Sequence, residues 1–273
     1  MKKLSLLLIL LSAMATAFGQ EASEYKRSFF QYNENSDYYY CLPWNYNTLE
    51  NTTESYPLVI YLHGGGGLGD VAGLDFLGYS EEGQPQSKVS KEFQTLYTSF
   101  VLVPKVKQGW NPADLIPLVE EFKSKYRIDQ KRIYLIGYSM GGSGTYIIAN
   151  GYYDYNKTLF AGIIRLAGQS QSVLRDELTQ NTSVWLHIGL EDELRRVEIS
   201  REAYDFFKEK NPDAIESSER IKINDRTGIT KSIIRNGVAI FKLSEYNQTG
   251  HEVHRFPFDN NEVMDWLFAQ TLK

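Results

Sequence analysis

A chain of 273 residues that is 42% apolar and 23% charged is long enough for one sizeable core, and this balance excludes a disordered, collagen-like or coiled-coil protein. Its net charge of -5 disfavours nucleic acid as a partner. Cys41 is the one cysteine, so no intrachain disulfide forms and the core must supply the stability.

At the N-terminus, Lys2 and Lys3 precede the apolar run Leu4 to Leu11 and the small-residue stretch ending Ala17-Phe18-Gly19. Basic, apolar and small-residue regions in that order read as an export signal, with cleavage after Ala17 or Gly19. The apolar run is short for a spanning helix. The expectation is a signal peptide over residues 1–19 and a single catalytic domain over 20–273, periplasmic or secreted, with no stable membrane insertion after cleavage.

Residues 21–57 are polar and tyrosine-rich, with strand character around Tyr38 to Leu42. Compact apolar runs follow at Leu58–Leu62, Phe100–Val103, Ile133–Ile136, Ile163–Leu166, Val184–Ile188 and Val238–Phe241. Runs without strict alternation suit strands covered on both faces. Between them, Asn111-Pro112-Ala113-Asp114 reads as an N-cap, a first-turn proline and an early acid. Further helices are expected after Ser139, over about Ser200 to Lys208, and from Asn261 to Gln270. Alternating strands and helices predict an α/β fold, a mostly parallel central sheet with helices on both faces. Residues 68–94 and 210–236, rich in Gly, Ser, Asp and Lys, are expected to be surface insertions.

The strongest chemical signal is Gly137-Tyr138-Ser139-Met140-Gly141-Gly142. Small residues on each side let the chain turn sharply from strand to helix and present the Ser139 hydroxyl as a nucleophile. The run His63-Gly64-Gly65-Gly66-Gly67 also follows a strand. Backbone N–H groups of Gly65 or Gly66, with that of Met140, form a candidate oxyanion hole. No Lys-Ser/Thr pair closes this run, which argues against a phosphate loop.

A serine nucleophile needs a base and an orienting acid. Among four histidines, His63 reads as a loop anchor and His187 as a core residue. His251 is favoured over His254 because it follows a glycine beyond the last strand. For the acid, the loop after Val184–Ile188 offers Glu191, Asp192 and Glu193. Asp192 is preferred, with its neighbours and Asp176 left open. Trp110 and Tyr138 are candidates for substrate contact. No metal motif is present and no cofactor is expected.

The chain resembles α/β-hydrolase esterases related to polyhydroxybutyrate depolymerases and to the feruloyl and acetyl xylan esterases of carbohydrate esterase family one. The resemblance spans about Leu42 to Leu272. It is carried by Leu42-Pro43-Trp44-Asn45-Tyr46, by Tyr56 through Gly67, and most specifically by Tyr126 to Tyr134 running into the Ser139 turn. Gly189-Leu190-Glu191-Asp192, Gly250-His251 and Asp265-Trp266-Leu267 complete it. The resemblance implies a serine esterase with a Ser139–His251–Asp192 triad, acting on acyl or feruloyl esters of polysaccharides or on related small esters. The chain departs from the family in three places. Pro104 to Trp110 lacks cysteines, the histidine of the acid loop stands one place early at His187, and Asn211 to Gly237 has no counterpart. Two alternatives are a prolyl-oligopeptidase-like serine peptidase and a non-catalytic carbohydrate-binding protein on the same scaffold.

Overall fold

The apolar runs become strands whose successive side chains enter two different cores. In β3 (Tyr56–Leu62), Leu58, Ile60 and Leu62 join one apolar cluster while Val59 and Tyr61 join the other. β5 (Ile128–Tyr138) divides the same way, with Ile133 and Leu135 on one side and Tyr134 and Ile136 on the other. Both faces are therefore dry, which is why no polar alternation interrupts these runs. The computed structural model describes residues 30–33, 38–44, 46, 53–65, 91–156, 159–169 and 173–272. The expected signal segment, Gly66 and most of the 68–94 segment lie outside them.

The remaining strands are β1 (Phe30–Asn33), β2 (Tyr38–Cys41), β4 (Phe100–Pro104), β6 (Gly162–Leu166), β7 (Ser183–Gly189), β8 (Ile215–Ile223), β9 (Arg226–Arg235) and β10 (Val238–Tyr246). They form one sheet in the order β1-β2-β4-β3-β5-β6-β7-β10-β9-β8. From β4 across to β10 the strands are parallel, and antiparallel pairs extend the sheet at both edges.

One face is covered by α2 (Pro112–Lys125), α3 (Met140–Asn156) and α4 (Leu194–Glu209), through Phe122, Tyr152 and Phe207 among others. The other is covered by α1 (Lys91–Leu96) and α5 (Glu262–Phe268), through Phe93 and Leu267. Helix α2 starts as its sequence dictates: the Asn111 side chain accepts the Ala113 N–H at 3.0 Å, and Pro112 takes the first helical position. Cys41 is buried, and loss of hydration pushes its thiol up to about 12. Among the described residues no helix is long and apolar enough to cross a membrane.

The 210–236 segment lies at the surface but is regular structure. It forms β8 and β9, an antiparallel extension of the sheet beyond β10. No hydrophobic period marks it, because β8 is an edge strand exposed along nearly its whole length. The buried positions of β9 include Gly228, Thr230 and Ser232, and Thr230 is satisfied by the Ser244 hydroxyl at 2.7 Å. Residues 91–94, expected in the other insertion, instead begin α1.

Candidate active site

Every loop that carries a candidate residue leaves the C-terminal end of a parallel strand, so the sheet delivers them to one edge. Ser139 sits between β5 and α3 with φ 54°, a left-handed conformation that a side chain adopts only under constraint. The constraint is supplied by the neighbours. The Ser139 N–H donates to the Leu166 carbonyl at 2.8 Å, and its own carbonyl accepts the Ser143 N–H at 2.9 Å. A Cβ at Gly141 would overlap the Leu62 carbonyl oxygen, so only glycine lets α3 start this close to the end of β3.

Asp192 and His251 come from adjacent strands, β7 and β10. Their loops are stitched together by Leu190 N–H to Tyr246 O at 2.9 Å and Glu191 N–H to Thr249 O at 2.8 Å. That stitching sets the side chains in line. The Ser139 hydroxyl lies 2.8 Å from His251 Nε2, and His251 Nδ1 lies 2.8 Å from Asp192 Oδ2. Asp192 is nearly enclosed, its side chain 3% exposed, and its second oxygen accepts the Glu193 N–H at 2.8 Å. An ionised carboxylate on Nδ1 requires the proton there, which leaves Nε2 free to accept from the serine.

The other candidates lie elsewhere. Glu193 is 71% exposed, Glu191 is exposed, and Asp176 is ion-paired to Lys210 at 2.8 Å. His254 stacks on the Tyr138 ring, centroids 3.8 Å apart. His187 is sealed in the core between Trp185 and Tyr246, and its Nδ1 lies 3.0 Å from the Tyr246 hydroxyl. Burial first, and the Lys242 charge second, push its imidazole down to about 3, so it stays neutral. His63 braces the glycine loop. Its Nδ1 donates to the Gly64 carbonyl at 2.9 Å and its Nε2 accepts the Val106 N–H at 3.2 Å.

Trp110 and Tyr138 are both engaged inside the protein. Trp110 is buried, its ring fills the space beside Gly144, and its Nε1–H donates to the His63 carbonyl at 3.2 Å. The Tyr138 hydroxyl donates to the His251 carbonyl at 3.1 Å. A cavity of about 280 Å³ borders Trp110, Val106, Leu115 and Leu118, but Ser139, Asp192 and His251 do not line it. Of the candidate oxyanion donors, Met140 opens α3, where the first N–H groups have no intrahelical partner, and Gly65 is exposed beyond β3. Gly66 lies outside the described residues.

Sequence reasoning missed one group. Arg196, on the first turn of α4, lies four residues after Asp192 and returns to the same side of the chain. Its Nη1 lies within 2.9 Å of both His251 ring nitrogens, and its Nη2 donates to the Gln169 side-chain oxygen. The i, i+4 spacing from the candidate acid was the available signal. Among the described residues no cluster of three His, Cys, Asp or Glu could hold a metal.

Sheet order, helices on both faces and a serine turn after the central strand define the α/β-hydrolase fold. No protein-family model and no curated protein sequence matches the chain. Among solved structures it is similar to a thermostable esterase, with 22% identity over 89% of this chain and a TM-score of 0.61. This chain spans 62% of that esterase's length. It is also similar to an acetyl xylan esterase from Aspergillus awamori, with 15% identity, a TM-score of 0.58 and coverage of 87% of this chain and 97% of that one. An acylaminoacyl peptidase shares 12% identity and a TM-score of 0.52 over 90% of this chain and 41% of its own. At these identities the likeness establishes the fold.

Proposed function

We propose that the protein is an exported serine hydrolase of carboxylic esters, with Ser139 as nucleophile, His251 as base and Asp192 as orienting acid. The observation that carries this reading is the unbroken hydrogen-bonded line from Asp192 through His251 to a serine at positive φ. Such a line serves to take a proton from the hydroxyl as it attacks a carbonyl. His251 receives that proton at Nε2, and Asp192 steadies the imidazolium. The tetrahedral oxyanion is held by the Met140 N–H and by a glycine-loop N–H, Gly65 or Gly66. Collapse expels the alcohol, which takes the proton back from His251. A water, deprotonated by the same histidine, then attacks the acyl-enzyme and releases the acid. Ester and water become acid and alcohol, and the balance closes without a cofactor.

The resemblance to carbohydrate esterase family one supports acyl or feruloyl esters of polysaccharides, or related small esters, as substrates. The test is hydrolysis of acetylated xylan, methyl ferulate, short and long nitrophenyl esters and a proline-containing amide by wild type and Ser139→Ala. Ester turnover that disappears with the serine is the expected result. Turnover of the amide alone would make the protein a peptidase. Inactivity on all of them, with Ser139 unlabelled by a fluorophosphonate, would make it a non-catalytic binding protein.

A further inference from the structure

Strand β8 forms one edge of the sheet, and its nine residues pair with β9 in an unbroken register. The Thr227 carbonyl accepts the Asn247 N–H at 2.8 Å, so odd-numbered residues of β9 bond toward β10 and even-numbered ones toward β8. The register sets those even residues opposite Ile215, Ser217, Glu219, Ile221 and Ile223. The backbone N–H and C=O groups of Glu216, Ser218, Arg220 and Lys222 therefore point outward, away from β9. Such an edge is a template for a further strand.

Charge on this edge is divided into two halves. The even-numbered side chains of β8 lie on the α4 side, where Glu216 accepts the Tyr204 hydroxyl at 3.1 Å and pairs with Lys208 at 2.6 Å. A groove of about 530 Å³ opens there between the end of α4 and the start of β8. Three carboxylates line it beside Lys208, those of Asp205, Glu209 and Glu216. In the other half of the strand Arg220 and Lys222 are exposed, and among the described residues neither has an ion-pair partner. On the opposite face Ile215 is 71% exposed.

We propose that β8 pairs with β8 of a second copy of this chain, antiparallel about a two-fold axis through Ser218, giving one continuous sheet across both chains. In that register the two Ser218 residues exchange backbone hydrogen bonds at the axis. Each Glu216 faces Arg220 of the other copy, each Lys222 reaches Ala214 at the other's groove, and each Ile215 faces Ile221. The basic half of one strand thus covers the acidic groove of its mate, and the exposed isoleucine gains an apolar neighbour. Shifted registers lose this match. An axis at Glu219 or at Arg220 sets like charges directly opposite, and one at Ser217 sets Ile215 against Glu219. The order of charges therefore selects both the occupant of the edge and its register.

The experiment is sedimentation velocity of the purified protein at about 100 µM, a concentration at which a micromolar dimer is assembled. Wild type should sediment as a dimer. Ser218→Pro removes an outward N–H that a single chain does not use, and should give a monomer. Arg220→Glu, at an exposed position, sets like charges opposite and should also give a monomer, with the far-UV circular dichroism of wild type. Reversing both charges, Glu216→Arg with Arg220→Glu, restores the ion pairs between copies and should return the dimer. A wild type that stays monomeric would overturn the proposal and leave the edge to a strand of a different protein. So would a dimer that survives both single substitutions, or one that the double reversal fails to restore.

Discussion

Replacing Tyr138 by Phe removes a bond between two of the three active-site loops. The ring stays, and with it the stack on His254 at 3.8 Å and the contact with the His251 ring at 5.2 Å. Only the hydroxyl that donates to the His251 carbonyl at 3.1 Å is lost. A neutral hydrogen bond contributes about 0.5–1.5 kcal/mol net. If that contribution goes wholly into seating the imidazole over Ser139, kcat/KM falls by roughly 2- to 13-fold, since 1.4 kcal/mol is a factor of ten. The loss should fall on kcat, because the hydroxyl is turned toward the protein and not toward substrate. The assay is steady-state hydrolysis of a nitrophenyl ester, alongside urea unfolding to measure the stability change on the same scale. An unchanged kcat would show that the bond does not seat the histidine. A loss beyond about a hundredfold exceeds what one neutral bond supplies and would place the hydroxyl among the reacting groups.

Two further outcomes follow from the same geometry. Asp192→Asn should lower kcat by about 10⁴, because an amide can donate to Nδ1 and leave the proton on Nε2, the wrong tautomer for taking one from Ser139; Glu193→Gln, at an exposed position, should leave kcat nearly unchanged. His187 gives a pH dependence of stability. Its folded pKa of about 3 lies below the unfolded value near 6.5, so the unfolded chain binds the extra proton between them. Its contribution is intact above pH 6.5 and is lost as pH falls toward 3, at about 1.4 kcal/mol per pH unit. Urea unfolding at pH 6.5 and 5.0 should therefore differ by about 2 kcal/mol less in His187→Gln than in wild type; identical differences would refute the assignment.

Strand cores were legible because both faces of the sheet are dry, so Leu58–Leu62 and Ile133–Ile136 stand out as unbroken apolar runs. Helix α2 was legible because Asn111 and Pro112 cap it locally. The β8–β9 extension was not, since a strand exposed along an edge and one with Gly228, Thr230 and Ser232 at buried positions carry no apolar rhythm. The glycine-flanked serine was readable as a turn. Charge alone does not separate Glu191, Asp192, Glu193 and Asp176; the turn Gly189-Leu190-Glu191 leading into Asp192 is what favours it.

By itself, then, the sequence determined the layered α/β architecture and the sharp turn at Ser139, because both arise from contacts between near neighbours: side-chain period, caps and glycines. Which carboxylate faces Nδ1, which histidine faces Ser139, and the meeting of Arg196 with His251 and Gln169 were decided only by the tertiary structure. Those groups lie up to 112 residues apart along the chain. They meet because parallel pairing of β5, β6, β7 and β10 brings the ends of those strands to one edge, a register that long-range hydrogen bonds set and no local pattern encodes.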